Sequence, residues 1–106
     1  MIISHKSAKT TTPVPGITRR ILAHSEKVML TEHVLEKDAI LPEHKHPHEQ
    51  LVYVLSGELL LEMDGKQLKL LPGDSVAVPS NVNHKATALK ESVALDIFAP
   101  ARTDYL

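Results

Sequence analysis

The stretch that decides the fold is His44-Lys45-His46-Pro47-His48-Glu49-Gln50, which runs on through strand-forming residues to Gly57. Side chains able to donate a lone pair recur at every second position in it: His44, His46, His48 and Gln50. In extended chain this spacing directs all of them to one side of the backbone. The sequence has no cysteine, so the three imidazoles predict a metal site without thiolate ligands. A further candidate ligand, His84, lies in a separate strand-like segment.

Length and charge narrow the class of protein. With 106 residues and a net charge of −1, the chain is predicted to be one domain without the basic patch that nucleic acids or anionic membranes require. The absence of cysteine and of any long apolar segment predicts a soluble, cytoplasmic protein. Residues 1–16 are polar and carry two prolines and a glycine before residue 17. They are expected to form an extended or loosely ordered arm, with the domain proper at 17–106.

The rest of the chain is typical of β structure. Asp64-Gly65 predicts a two-residue hairpin, and Pro72-Gly73-Asp74 predicts a second turn. Short segments rich in strand formers lie between such turn signals, at 17–24, 28–35, 39–43, 51–55, 58–63, 66–71, 75–78, 81–89 and 92–98. Many short strands without a convincing helix predict an all-β sandwich or small barrel.

Two motifs resemble those of the cupins, small double-stranded β-helix barrels of jelly-roll type that hold a metal inside. The first motif, His-x-His followed by Glu or Gln and then Gly, matches His44, His46, Gln50 and Gly57. The second motif, a Pro-Gly-Asp turn followed by a proline and a histidine, matches Pro72-Gly73-Asp74, Pro79 and His84. The resemblance covers about residues 28 to 98. It implies one divalent metal ion on His44, His46, Gln50 and His84, with Zn, Ni, Fe and Mn left open.

Two features of the first motif need comment. Gln50 stands where a glutamate is common, which leaves the site one charge more positive and favours a Lewis acid acting on an anionic substrate. His48 has the parity of a ligand, but Pro47 bends the chain before it, and we expect His48 at the rim of the pocket. The alternative for the whole cluster is a set of solvated loop histidines. His5, His24 and His33 are expected to be ordinary surface or packing residues.

Three further segments, at 20–25, 78–84 and 95–106, resemble the KdgF-type cupins of pectin and alginate breakdown. Those enzymes convert 4,5-unsaturated monouronates into the linear 4-deoxy-5-keto uronate. The resemblance extends over residues 16 to 106, and Asp38 stands where the family is expected to have a turn glycine. It implies functional roles for Asp96, Phe98 and Arg102.

The residue types agree with such a reaction. Arg102 offers a planar fork for a substrate carboxylate. Asp96, a lone carboxylate in an apolar strand, would be desolvated if it faced inward and suited to proton transfer. Phe98 shares the parity of Asp96 and could line the pocket. The alternatives are an Asp96 that faces solvent, a solvated Arg102 in a terminal tail, and a Phe98 that belongs to the core. Tyr53 has the opposite parity to Gln50, and a packing role is expected for it.

The predicted metal ligands by themselves are also compatible with two other functions. One is a metal-dependent dioxygenase or similar small-molecule cupin enzyme, and the other is a sugar-binding module without turnover. In each case the partner is a small molecule. Because related barrels are dimeric, we also expect a homodimer.

Overall fold

The computed structural model describes residues 2–106, which form ten β-strands and one turn of 3-10 helix near the C-terminus. The strands are β1 (Lys9–Val14), β2 (Ile17–His24), β3 (Met29–Leu35), β4 (Ile40–His44), β5 (Glu49–Ser56), β6 (Leu59–Met63), β7 (Lys66–Leu70), β8 (Ser75–Val78), β9 (His84–Ala88) and β10 (Ser92–Ala99). The helical turn spans Thr103–Tyr105. The all-β prediction is confirmed, although the segment predicted from residue 81 becomes a strand only at His84.

The strands form two antiparallel sheets. One has the order β1-β2-β3-β10-β5-β8 and the other the order β4-β9-β6-β7. The main apolar core lies between them, because its buried side chains come from both sheets: Ile17, Leu35, Val52, Val54, Val78 and Ala94 from the first, and Leu59, Leu61, Leu70 and Ala88 from the second. Among residues 2–106, no helix has the length and apolar character needed to cross a membrane.

A second, smaller apolar cluster lies further along the same inner face of the six-stranded sheet. It contains Ile21, Met29, Phe98 and Ala101. Along β2, β3 and β10, polar residues separate the two clusters, so that Asp96 lies between Ala94 and Phe98. Strand alternation keeps these polar residues on the buried side with their apolar neighbours. The six-stranded sheet therefore carries a polar band across an otherwise apolar inner face.

The N-terminal segment contributes a strand to the six-stranded sheet of its own chain. Lys9–Val14 forms the edge strand β1, which pairs with β2, and its register shifts between Thr11 and Val14. Pro13 can be accommodated because an edge strand needs only one row of hydrogen bonds. Residues 9–14 are thus ordered by a hairpin within the same chain.

The C-terminal tail is packed against the body of the protein. Ala101 is buried, and its backbone N–H donates to the carbonyl of Glu26 at 3.2 Å. The Lys9 ammonium donates to the carbonyl of Tyr105 at 3.0 Å. The two ends of the described chain therefore meet at one end of the six-stranded sheet, next to the second apolar cluster.

Gly57 ends β5 at a position where only glycine fits. Its φ is +86°, and a Cβ there would collide with Ser92 and with the carbonyl of Glu91. Gly57→Ala is expected to lower the free energy of unfolding by about 3 kcal/mol or more, since steric overlap adds to the left-handed backbone penalty.

Gly65 provides the matched control for that substitution. It also has a positive φ, +72°, but no other atom lies within 4 Å of its Cβ position. Gly65→Ala should cost only about 1 kcal/mol. Denaturant titration of both variants measures the difference, and equal losses would contradict the steric account.

Candidate metal centre

Three histidines meet at one end of the barrel. His44 ends β4 and His84 begins β9, and these two residues are paired across the strands. His46 follows in the loop between β4 and β5. Ligand nitrogens of the three side chains all lie within 4.8 Å of one another, and His46 and His84 are buried. The alternative of solvated loop histidines is therefore wrong, and the three side chains could hold a metal ion.

Backbone carbonyls orient all three rings in the same way. The Nδ1 atom of His44 lies 2.8 Å from the carbonyl of Pro42, and that of His84 lies 2.9 Å from the carbonyl of Val82. The Nδ1 atom of His46 lies 2.9 Å from the carbonyl of His48. A carbonyl only accepts, so each Nδ1 carries a proton and each neutral ring is left with a lone pair on Nε2. Partners of this kind are typical of histidines that bind metals.

Gln50 completes the group of acceptors. Its amide nitrogen donates to Asp96 Oδ2 at 2.9 Å, which turns its Oε1 towards His46 Nε2 at 3.0 Å. An amide oxygen and an imidazole lone pair facing each other require a proton or a cation nearby. Within the described chain, the Nε2 atom of His84 is buried without a hydrogen-bond partner. These side chains fit a divalent metal ion.

Burial also favours the protonation state that metal binding needs. Desolvation lowers the pKa of His46, and the nearby Arg102 guanidinium lowers it further. Desolvation likewise lowers the pKa of His84. Both imidazoles are therefore neutral at pH 7, with lone pairs available to a metal ion.

His48 lies beside this group and outside it. The structure places its carbonyl against His46 and its ring 5.6 Å from the His46 ring, measured between centroids. The ligand atoms that converge belong to the other three histidines. This position agrees with the expected place at the edge of the site.

Asp96 faces inward. It is 6% exposed, and its Oδ2 accepts the hydrogen bond from Gln50. The same oxygen lies 3.4 Å from Nδ1 of His33. The alternative of a solvent-facing carboxylate is wrong, because β10 turns this residue to the same side as the buried Ala94 and Phe98.

Phe98 and Arg102 lie on the other side of the histidines. Phe98 is buried in the second apolar cluster, and its ring meets the edge of His46 at a centroid distance of 5.8 Å. The Arg102 side chain is only 11% exposed, which excludes a solvated tail residue. Its Nε and one NH2 group donate to the two carboxylate oxygens of Asp104 at 3.0 and 2.8 Å. The fork expected to hold a substrate carboxylate is thus paired with Asp104 on one edge, while NH1 is buried without a partner in the described chain.

Three residues near the site were missed by the sequence analysis: Arg19, His33 and Tyr105. The Tyr105 ring contacts two guanidinium groups, with Arg19 at 3.8 Å and Arg102 at 4.3 Å from its centroid. His33, expected to be an ordinary residue, is buried beside Asp96. The signal in the sequence was parity, since Arg19 and His33 share the inward side of β2 and β3 with buried apolar residues.

A cavity of about 40 Å³ lies inside the barrel next to these side chains. His33, Gln50, His84 and Asp96 supply its polar lining, and aliphatic residues of the main core supply the rest. A larger open groove of about 790 Å³ is lined by other residues, among them Glu43, Met63 and Asn83. The small cavity is therefore the concave feature that belongs to the metal centre.

Comparison with known proteins identifies the class. The model of the cupin domain family matches residues 31–98, and this chain belongs to the cupin family. The pectin degradation protein KdgF of Dickeya dadantii (strain 3937) is 36% identical over 93 residues, which cover 86% of this chain and 84% of that protein. The predicted resemblance to KdgF-type cupins is confirmed.

Two solved structures share the fold over nearly the whole chain. The structure of KdgF from Halomonas sp. matches with a TM-score of 0.93 and 31% identity over 100% of both chains. An RmlC-like cupin from Shewanella frigidimarina NCIMB 400 matches with a TM-score of 0.93 and 30% identity, over 99% of this chain and 95% of that one.

Metal binding is expected to stabilise the protein. At a free metal concentration of 100 times the dissociation constant, Zn²⁺ or Ni²⁺ should raise the free energy of unfolding by about 2.7 kcal/mol. His84→Ala should remove most of this gain, because it deletes a ligand. Thermal melts with and without metal, together with metal content by mass spectrometry, measure the effect.

His24→Ala is the matched control, since His24 is exposed and its ring bonds only to the carbonyl of Leu22. This variant should keep the full metal-dependent shift. An equal shift in the His84 variant would show that the metal binds elsewhere.

Proposed function

We propose that this protein is a metal-dependent cupin enzyme of uronate metabolism. It would open the ring of 4,5-unsaturated monouronates from pectin or alginate breakdown to give the linear 4-deoxy-5-keto uronate. Similarity to the pectin degradation protein KdgF supports the substrate class. The observation that carries the proposal is the Gln50 amide, which joins the candidate metal ligands to the buried carboxylate of Asp96.

The metal would be one divalent ion, Zn, Ni, Fe or Mn, held by His44, His46, Gln50 and His84. When bound, it supplies Lewis acidity that polarises a substrate oxygen. The four proposed ligand side chains are all neutral, so the ion keeps its full positive charge and attracts an anionic substrate.

Asp96 is the proposed proton-transfer group. The carboxylate is held through Oδ2 by Gln50, and neither of its two neighbouring donors contacts Oδ1. This second oxygen can exchange a proton with a substrate bound beside the histidines. The burial of Asp96 limits the access of bulk water to its carboxylate.

Arg102 is the proposed anchor for the substrate carboxylate. One edge of its guanidinium is paired with Asp104, so the substrate is bound through the edge that contains NH1. Asp104 holds the guanidinium plane, and the Arg102 charge is near enough to His46 to lower the pKa of that imidazole. Phe98 packs against the Arg102 guanidinium and the His46 ring, and it is the proposed apolar wall beside the sugar.

A dioxygenase would use the same histidines. The Gln50 to Asp96 bridge and the nearby Arg102 favour proton transfer on an anionic substrate, because they provide a carboxylate and a cation beside the histidines. Oxygen uptake with Fe²⁺ and a candidate diketone, without loss of the uronate alkene, would favour the dioxygenase. Binding of the uronate without turnover would favour the sugar-binding module.

The function is tested by the alkene absorbance of unsaturated galacturonate and, in parallel, of alginate-derived uronates. The metal-loaded protein should accelerate loss of this absorbance over the uncatalysed reaction. Asp96→Asn should lower kcat by about 10²- to 10⁴-fold, since it removes the proton-transfer group.

Asp64→Asn is the control for that substitution. Asp64 lies in the exposed β6–β7 turn at a φ of +54°, which asparagine tolerates. It should retain wild-type activity. Absence of acceleration by the wild-type protein, or full activity of the Asp96 variant, would contradict the proposal.

We also propose that two copies associate through the outer face of the six-stranded sheet. Leu51, Tyr53 and Leu55 of β5 are about half exposed there, and Ile97 of β10 is paired with Leu51. Leu51→Glu should convert a dimer into a monomer by placing a charge in this apolar row. Ile40→Glu, at an exposed position of the other sheet, should leave the dimer intact. Light scattering measures the mass, and a monomeric wild-type protein would contradict the dimer.

A further inference from the structure

Four polar side chains follow one another across the six-stranded sheet, and we call them the polar row. They are Arg19, His33, Asp96 and Gln50, and they stand on β2, β3, β10 and β5, which are adjacent in that order. Arg19 and His33 are direct cross-strand partners. The polar row therefore connects one side of the sheet to the candidate metal ligands.

Arg19 determines which atoms of the polar row donate and which accept, because its guanidinium can only donate. Its Nε donates to His33 Nε2 at 3.0 Å. A guanidinium has no acceptor and does not lose its proton in proteins, so His33 Nε2 must carry a lone pair. The proton of the neutral His33 ring is therefore on Nδ1, on the side of Asp96.

The Nδ1 atom of His33 is a buried donor that lacks a partner. It lies 3.4 Å from Asp96 Oδ2, and the side chains of His33 and Asp96 are only 7% and 9% exposed. The geometry does not make a hydrogen bond, and Nδ1 is unsatisfied in the described chain. A buried donor without a partner is costly, and hydrogen bonds of catalytic groups often shorten only when substrate is bound.

Gln50 approaches the same oxygen from the other side, at 2.9 Å. Two donors from two neighbouring strands thus face Asp96 Oδ2, and neither contacts Oδ1. This arrangement sets the orientation of the carboxylate and reserves one oxygen for another partner.

Arg19 itself is held in place by packing. Its guanidinium lies 3.8 Å from the centroid of Tyr105, a residue whose carbonyl is bonded by Lys9. A cation stacked on a partly buried aromatic ring has little freedom to turn away from His33.

We propose that Arg19 and His33 are positioning residues. Arg19 fixes the His33 tautomer that carries its proton on Nδ1. Together with Gln50, His33 then holds Asp96 Oδ2, so that Oδ1 exchanges the proton with the substrate. The assignment rests on the proposed function, because it requires Asp96 to transfer the proton. It identifies a role for two residues on strands that contribute no metal ligand.

Two amide substitutions of His33 separate positioning from packing. The amide nitrogen of His33→Asn can occupy the place of Nδ1 and keep the donor towards Asp96, whereas that of His33→Gln reaches the place of Nε2. Loss of one hydrogen bond in the reacting complex should lower kcat of His33→Gln about tenfold, with KM and metal content unchanged. His33→Asn should stay within about threefold of wild type. Equal loss in both variants, or no loss in His33→Gln, would overturn the proposal.

A second measurement does not depend on activity. In ¹⁵N–¹H spectra of the histidine-labelled, Zn²⁺-loaded protein, His33 is assigned by its absence from the His33→Asn spectrum. It should be protonated on Nδ1 in the wild type and lose that preference in Arg19→Met. Protonation on Nε2 in the wild type would overturn the proposal even if the enzyme is active. If the wild-type protein has the expected tautomer but no activity on uronates, the proposed function fails and the Arg19 to His33 interaction stands.

Discussion

The arrangement of the site depends on the two contacts of the Gln50 amide, one with Asp96 and one with His46. The amide nitrogen donates to the Asp96 carboxylate, and the amide oxygen faces the Nε2 lone pair of His46, so that the two acceptors require a proton or a cation nearby. A glutamate at this position would place a second carboxylate against Asp96, and two such charges at about 3 Å cannot both be ionised. The neutral amide that distinguishes this chain from the commoner cupin pattern therefore allows a metal centre and a buried aspartate to share one side chain.

The inner face of the six-stranded sheet can bury the Asp96 carboxylate and its partners because the apolar residues of that face form two separate clusters. Apolar clusters lie on both sides of it, with Ala94 before Asp96 on β10 and Phe98 after it. Polar groups buried in this way are stable only when they bond to one another, since an unpaired group loses its hydration without compensation. Within the polar row, Arg19 bonds to His33 and Gln50 bonds to Asp96, and the site is built as part of the core.

Residues near the two ends of the described chain contact the residues that surround the site. Tyr105, in the last helical turn, contacts the guanidinium groups of Arg19 and Arg102 through its ring, and its carbonyl accepts a hydrogen bond from Lys9 of β1. The electron-rich face of an aromatic ring attracts a cation, so one ring helps to hold both guanidinium groups in place. The arm and the tail, which look dispensable as polar segments, thus support the residues that surround Asp96 and Phe98.

Spacing and parity in the sequence were sufficient for the all-β class, for the group of metal-ligating candidates around His46 and for the shared inward side of Asp96 and Phe98. They were not sufficient for His33 and Arg19, because parity shows which residues of a strand share a side and not which strands are adjacent. Tyr53 illustrates the same limit: its parity opposite to Gln50 was recognised and a packing role was expected, but that side of β5 faces outward and Tyr53 is 45% exposed. Local alternation is a property of one strand, whereas the order β2-β3-β10-β5 arises from pairing between distant segments. Only the tertiary structure therefore decided which side chains meet Asp96.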